Sequence, residues 1–390
     1  MKHTLFHLLL SSLLSYSVMA QPYRPTTDEE VLETLPIQSQ NWLEIRKLRE
    51  HSVAHPNDLQ QALTLVRRYI ELGRAESDPR YYGYAEAVLS PWLQKQATPE
   101  VLTLRATLYQ NRHEFPAALD LLNQALRQQP RFAGAWLTRA QILEVQGDYA
   151  AALNSCKPLL RLSVPLTAAV CSNAVLSLSG QLLPAYQRLY QFVQVAGAEN
   201  PADQQWAWVT LAEMAERLGE IVKAEAHYQT ALQLVARNGY LLATYSDFLL
   251  DQKRYTEVVR LLENETRHDG LLLRLTLAEQ GLHLPTTLGH IETLKLRFAA
   301  SRLRGDTSHQ AEEARFVLQL LRQPAAALAL AQRNWTVQRE SRDARILLEA
   351  ALADGHNQHA AQPIFDFISQ NQLQDVRLQT LLEQFKGKSI

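Results

Sequence analysis

A regular internal repeat is the feature that most constrains how this chain can fold. Several apolar or small residues between positions 102 and 118 have a counterpart of similar character at a constant offset, as in 136 − 102 = 34. The matched pairs are Leu102 with Trp136, Ala106 with Ala140, Phe115 with Tyr149, and Ala118 with Ala152. A third copy begins at Gln205 and a fourth at Gly239. A fixed period of this length indicates stacked units, because one such unit cannot bury its apolar face alone.

Each unit is predicted to be a pair of amphipathic helices, each of roughly 12–15 residues. Ala140 and Ala152 are small at the positions where the two helices of one pair must approach closely. Gly147 permits the tight turn between them, and the carboxylate of Asp148 can cap the second helix. The pattern loses register between 166 and 204, where we still expect helices over Leu166–Leu178 and Leu183–Val195.

Six positions of one repeat carry a known motif: Trp136, Ala140, Gly147, Asp148, Tyr149 and Ala152. They resemble the tetratricopeptide repeat family, and the resemblance covers about residues 98–265. It implies an all-α fold, a right-handed superhelical solenoid of antiparallel helix pairs whose first helices line a concave surface. It also implies a protein or peptide partner bound on that surface. The residues of this motif are packing residues, so they do not identify the partner.

The sequence divides into five predicted segments. They are a signal peptide over 1–20, an N-terminal helical region with one atypical repeat over 21–97, the repeat array over 98–265, divergent helical repeats over 266–370, and a C-terminal capping helix over 371–390.

The N-terminus has the layout of a secretory signal peptide of a bacterial-type exported protein. A basic start at Lys2 is followed by an apolar run over 5–14 and by a small residue, Ala20, at the expected cleavage site. That run is shorter than the roughly 20 residues that span a bilayer. We expect the mature chain to begin at Gln21, to lie in the periplasm or the medium, and not to span a membrane.

Two cysteines lie in the exported part, where an oxidising compartment allows a disulfide. Cys156 falls on a predicted second helix and Cys171 on the next first helix. Their midpoint lies at the turn 163–165, and residues equidistant from the turn of an antiparallel hairpin lie side by side. The spacing therefore favours a Cys156–Cys171 disulfide, and two buried thiols are the alternative.

Charge and motifs exclude several function classes. The 39 basic and 40 acidic residues balance to a net charge of −1, so the basic footprint of a nucleic-acid-binding protein is missing. No catalytic or phosphate-binding motif is found, and we predict neither an enzyme nor a cofactor. The histidine pairs 51/55 and 356/359 have no identifiable third ligand, so no metal site is predicted. A metal-handling exported repeat protein and a cell-envelope enzyme remain the alternatives.

Four residues on the expected concave surface form a candidate recognition strip: Trp206, Glu213, Tyr240 and Asp247. The two aromatics are separated by one repeat period, as are the two carboxylates, and helix rise predicts a separation of roughly 10 Å between the two rows. Aromatics supply apolar contact area, and carboxylates favour a basic or amine-bearing segment. The alternative is a solvated face, with Glu213 paired locally to Arg217 four residues later.

Trp136 and Trp208 occupy the packing position of their repeats and are predicted to be core residues. We therefore expect Trp208→Ala to cost about 3–5 kcal/mol of stability. Trp206→Ala is expected to cost less than about 1 kcal/mol.

Overall fold

The structure is a computed structural model, and it describes residues 27, 40–76, 78–195, 200–234, 238–306 and 309–387. The chain divides into two compact units, Met1–Glu44 and Ile45–Ile390. Helix is the only regular secondary structure in the described ranges. None of their helices is both long enough and apolar enough to cross a bilayer.

The helices are numbered here in chain order. They are α1 (Gln40–Ala54), α2 (Leu59–Glu76), α3 (Arg80–Lys95), α4 (Pro99–Asn111), α5 (Phe115–Gln128), α6 (Ala133–Val145), α7 (Tyr149–Cys156), α8 (Leu159–Leu162), α9 (Pro165–Leu178), α10 (Leu182–Val195), α11 (Pro201–Arg217), α12 (Ile221–Leu234), α13 (Gly239–Asp251), α14 (Tyr255–Leu262), α15 (Asp269–Leu282), α16 (Thr287–Leu303), α17 (Gln310–Gln319), α18 (Pro324–Trp335), α19 (Ser341–Ala353), α20 (Gln358–Asn371) and α21 (Val376–Lys386).

From α2 onward the helices pack as neighbouring pairs, each with a first and a second helix. The first helices are α2, α4, α6, α9, α11, α13, α15, α17 and α19, and α21 follows the last pair. The small residues Ala140 and Ala152 lie fully inside one pair, with 1% and 0% of their surface exposed. The prediction of an all-α fold of stacked helix pairs is therefore confirmed, while the five segment boundaries stay predictions.

The turn chemistry predicted for the repeat is present in the structure. Gly147 has a φ of 78°, a left-handed conformation that suits glycine. The Asp148 carboxylate accepts a hydrogen bond of 3.0 Å from the Ala151 amide and so caps α7. Gly180 and Gly219 have the same φ of 78° at the corresponding turns of α9 and α11. The helices predicted over Leu166–Leu178 and Leu183–Val195 match α9 and α10 to within one residue.

Several first helices in the middle of the stack are buried on every side. In α15, every residue from Gly270 to Thr276 is buried, including the charged Arg274. A helix that is apolar all round must be covered by protein on both faces. The helix α15 packs on α14 and α16 and on the first helices α13 and α17 of the adjacent pairs.

The stack of Ile45–Lys386 curves back so that distant pairs touch. The amide of Arg339 donates a 2.8 Å hydrogen bond to the carbonyl oxygen of Val145. The ring of Phe367 lies 6.0 Å from that of Tyr149. We call the side on which the first helices meet the inner face. The last helix, α21, packs on α11 as well as on α19, and its role as a cap stays a prediction.

The two cysteines join adjacent pairs through a disulfide. Cys156 ends α7, and Cys171 lies within α9 with its Cα 5.7 Å from that of Cys156. Both side chains are buried, at 0% and 2% exposure. The second helix predicted to carry Cys156 ends at Cys156 itself, and the short helix α8 follows Pro158.

Denatured, unreduced protein is expected to contain no free thiol. Reduction of the Cys156–Cys171 bond should lower the free energy of unfolding by about 3 kcal/mol, because it reopens a loop of about 15 residues in the unfolded chain. Thiol titration and urea melts with and without reductant measure the two effects. Two titratable thiols before reduction would contradict the disulfide.

Candidate functional site

The helices α11 and α13 present the recognition strip on the inner face, and asparagine caps fix where each helix begins. The side-chain oxygen of Asn200 accepts from the Ala202 amide at 2.9 Å, and that of Asn238 accepts from the Leu241 amide at 3.2 Å. The Asn238 amide also donates to Gln205 at 2.7 Å, which ties the start of α13 to the side of α11. The caps set the register of both helices and so the direction of the strip side chains.

Tyr240 and Glu213 touch each other directly. The Tyr240 hydroxyl donates a hydrogen bond of 2.5 Å to the Glu213 carboxylate. The two rows of the strip are therefore in contact, closer than helix rise alone predicts, because the long phenol reaches back along the neighbouring helix. This pair joins α11 to α13 and presents one aromatic ring with one carboxylate at its end.

Burial and neighbouring charges both shift the pKa values of Tyr240 and Glu213. Burial raises the pKa of Glu213, although the Tyr240 hydrogen bond lowers it. Burial and the charge of Glu213 hold the pKa of the Tyr240 phenol well above its usual range. The Tyr240 residue is nevertheless 46% exposed. The two observations agree if water reaches the edge of the ring while protein surrounds the hydroxyl.

A guanidinium from a distant pair lies beside the same ring. The Arg342 guanidinium carbon is 5.7 Å from the centre of the Tyr240 ring, within the range of a cation–π contact. Arg342 also forms a 2.6 Å ion pair with Glu340, at the start of α19. The exposed tyrosine is thus bordered by a cation and by carboxylates on either side.

Asp247 is already neutralised by the chain itself. Its carboxylate forms ion pairs with Arg274 at 2.6 Å and with Arg315. Burial alone would raise the pKa of Asp247, but the charges of the two arginines outweigh it and lower the pKa. The expectation that Asp247 offers a free charge to a partner therefore does not fit this geometry.

The contrast expected between the tryptophans does not fit the structure. Trp206 and Trp208 are both half-buried, and so is Trp136. Trp208 lies on an aromatic cluster, 5.2 Å from the His227 ring and 6.4 Å from the Tyr190 ring. Both faces of α11 are packed, so Trp206 and Trp208 each bury part of their surface against the core. From this packing we expect similar stability costs for Trp206→Ala and Trp208→Ala.

Two further carboxylates of the inner face, Glu216 and Asp251, also pair with arginines from the C-terminal third. Arg345 forms a bidentate pair with Asp251, at 2.6 and 2.7 Å. Arg377 pairs with Glu216, which also accepts from the hydroxyl of Tyr228. Burial raises the pKa of Glu216 to about 7 in spite of Arg377.

The alternative considered for Glu213, a local pair with Arg217, is not the contact that Arg217 makes in the structure. The Arg217 guanidinium instead donates to the carbonyl and hydroxyl oxygens of Ser177, at 3.0 and 2.6 Å. Arg217 is buried at 7% exposure. Arg217 therefore links α11 to α9, and the Glu213 carboxylate accepts its hydrogen bond from Tyr240 instead.

Sequence reasoning missed Glu144, which lies near the same region on α6. Burial and the negative charges of Glu340 and Glu213 raise the pKa of Glu144 to about 8. The carboxyl groups of Glu144, Glu213 and Glu340 therefore lie within electrostatic range of one another. A periodic signal did not reveal it, because Glu144 has no acidic counterpart in the next repeat. Glu144 lies three residues before Gly147, and Ser177 lies three residues before the corresponding Gly180.

The site offers contacts for binding. Among the described residues, no group of three or more histidine, cysteine, aspartate or glutamate side chains is arranged to hold a metal ion. The polar groups at the surface of the site are a phenol, carboxylates and a guanidinium. These groups can hydrogen-bond a polypeptide or pair with its charges.

Comparison with known proteins adds little beyond the fold. No family model matches the chain, and no curated protein sequence matches it. Chains of solved structures do match, among them one in the crystal structure of the APC/C hetero-tetramer Cut9–Hcn1. That match has a TM-score of 0.42 and 13% sequence identity, and it covers 80% of this chain and 53% of the other. The match thus spans about half the length of that chain.

Proposed function

We propose that this protein is an exported interaction protein that binds a segment of another protein on its inner face, at the surface around Tyr240. The observation that carries the proposal is the exposure of Tyr240, at 46%, while the other three residues of the strip are partly buried. An aromatic ring that keeps contact with water in such surroundings is a site where a partner can bury apolar area.

The chemistry beside the ring supports a polypeptide partner. The Glu213 carboxylate, the Arg342 guanidinium and the Tyr240 ring supply an acceptor, a donor and an apolar surface within one small area. A basic side chain of a partner would meet the Glu213 carboxylate at the end of the Tyr240 ring. Repeat proteins commonly bind such segments on the curved surface of the stack.

Position-specific photo-crosslinking in cells tests this function. We expect a chain with a benzoylphenylalanine at position 240 to crosslink to one protein in preference to all others. Tyr84 is the matched control, because it is also a tyrosine, is 52% exposed and lies on α3, which is neither of the two helices that carry the strip. Equal patterns of products from positions 240 and 84 would contradict the proposal.

Export is the second part of the proposed function, and it rests on the N-terminal sequence. We expect the mature protein to begin at Gln21 and to lie in the periplasm or the medium. The intact mass of the protein recovered from those fractions measures the cleavage. A mass that still includes Met1–Ala20 would contradict both the cleavage and the expected compartment.

A further inference from the structure

Three leucines form an exposed row along α16. Leu288, Leu296 and Leu303 are 75%, 72% and 90% exposed. Spacings of seven and eight residues are close to two helical turns, so the three side chains fall within an arc of about 80° around the helix axis. The inward side of the helix carries Leu294 and Phe298, which are buried. Scattered apolar side chains are ordinary on a protein surface, whereas a contiguous row indicates an interaction surface.

Cations flank this leucine row. Lys295 and Arg302 each precede a leucine of the row, and Arg304 follows the last one. All three are exposed. Lys295 pairs with the exposed Glu292 at 2.6 Å, and Arg302 pairs with Glu313, whose side chain is 7% exposed. Three cations against two carboxylates leave a positive excess beside the leucines.

The next second helix adds cations and no acid. It is α18, and its first helix, α17, packs on α15. Second helices of successive pairs lie on the same side of a stack, so α18 extends the surface of α16. The sequence of α18 contains no acidic residue, and Arg333 on α18 and Arg322 just before it are both exposed. The outer surface of α16 and α18 therefore combines an apolar row with an excess of positive charge.

We propose that the outer surface of α16 and α18 is a docking site for a phospholipid bilayer with anionic headgroups. The leucine row would enter the boundary between headgroups and acyl chains, and the flanking cations would pair with the headgroups. The helix would lie in the plane of the membrane, since none of the described helices is able to cross one.

Charge complementarity selects this occupant over a second copy of the chain. Two copies joined through the leucine row would bring two sets of cations together, and like charges across an interface oppose association. An anionic bilayer instead attracts these cations over its whole surface. The inference is separate from binding at Tyr240, which lies on the inner face.

Co-sedimentation of the purified protein with lipid vesicles tests the proposal. One set of vesicles contains phosphatidylcholine alone, and in the other set half of the lipid is phosphatidylglycerol. At low ionic strength we expect binding to the anionic vesicles to be at least about tenfold tighter, because each cation near a negative surface adds to the attraction. This preference should decline as salt is added, since salt screens the attraction.

The leucine row is tested by Leu296→Ser combined with Leu303→Ser. Binding to the anionic vesicles should weaken at least about tenfold, because two apolar side chains no longer enter the bilayer. The matched control combines Leu160→Ser with Val222→Ser, which removes side chains that are 69% and 83% exposed on α8 and α12. This control should bind as the unaltered chain does. Both variants keep the same N-terminus, so any contribution from it cancels.

The positive charge is tested by Arg322→Glu combined with Arg333→Glu. This variant should lose the preference for anionic over neutral vesicles. The matched control combines Arg127→Glu with Arg161→Glu, at exposed positions of α5 and α8. The control should keep most of the preference. Circular dichroism checks that each variant is folded.

Equal affinity of the unaltered chain for the two kinds of vesicle would overturn the proposal. An equal loss of binding in the leucine-row variant and its control would also overturn it. A third contrary result is a dimer, seen by sedimentation velocity without lipid, that dissociates in the leucine-row variant, because the row would then bind a second copy. These outcomes do not depend on crosslinking at position 240.

Discussion

Gly147→Ala is expected to lower the free energy of unfolding by about 2–5 kcal/mol, the sum of a backbone and a packing cost. A left-handed conformation costs a non-glycine residue about 1–2 kcal/mol, and Gly147 has a φ of 78°. The new methyl group would also lie 2.6 Å from the Phe367 ring. That ring packs edge-on against Trp335 at 5.1 Å, so it has little room to move aside. Overpacking of this kind costs about 1–3 kcal/mol more.

Gly355→Ala is the matched control for that substitution. Gly355 has a φ of 77°, and nothing lies within 4 Å of the position of its added carbon. It should therefore show the backbone cost of about 1–2 kcal/mol alone. The difference between the free energies of unfolding of the two variants, measured by urea melts, reports the contact between α20 and the turn after α6. Equal destabilisation of both variants would mean that the stack does not close at this point.

Asp247→Ala is the second large effect that we expect, and it concerns folding more than binding. The substitution leaves Arg274, which is 5% exposed, without its carboxylate. Unpairing a buried charge costs about 3–5 kcal/mol. The lower end of that range applies here, because Arg274 also donates to the Gly270 carbonyl oxygen at 2.8 Å. Asp120→Ala, at an exposed position of α5, should change stability by less than about 0.5 kcal/mol.

The cost of Asp247→Ala should depend on pH in a defined direction. The pKa of Asp247 is lowered in the folded protein, so its pairing stabilises the fold fully above the unfolded pKa of about 3.9. That contribution is lost as the pH falls through the acidic range below about 4. Urea melts of the unaltered protein and of Asp247→Ala should show that the difference between their free energies of unfolding is smaller at acidic pH than at pH 7. A difference that stays constant or widens on acidification would contradict the assigned ion pairs.

The pairing of the helices could be predicted because its causes are local. Gly147, Asp148 and the buried alanines each act within one repeat, and the constant period copies them along the chain. Even the irregular pair α9–α10 was predicted to within one residue, since the apolar pattern and Pro165 mark its ends. Short-range packing and capping determine these features.

The arginines that pair with the inner-face carboxylates could not be predicted, because these pairs depend on how the whole stack curves. Asp251 and Arg345 are 94 residues apart, and nothing in either repeat indicates that they meet. The curvature of the stack is the sum of small rotations between successive repeats. A slight change in each rotation therefore changes which helix pairs face each other. One signal was present in the sequence: the run over 270–276 in α15 is largely apolar, which is unusual for a helix lining an open groove.

The contact between α21 and the middle of the stack has a consequence for cooperativity. In an open repeat array each unit touches its neighbours alone, so the ends can unfold while the centre persists. Here Arg377 and Glu216 are 161 residues apart, and Gln374 and Leu182 are 192 apart. Such long-range contacts raise the contact order and slow the final folding step. The central pairs therefore gain these partners after α21 has been synthesised, and loss of α21 weakens the centre as well.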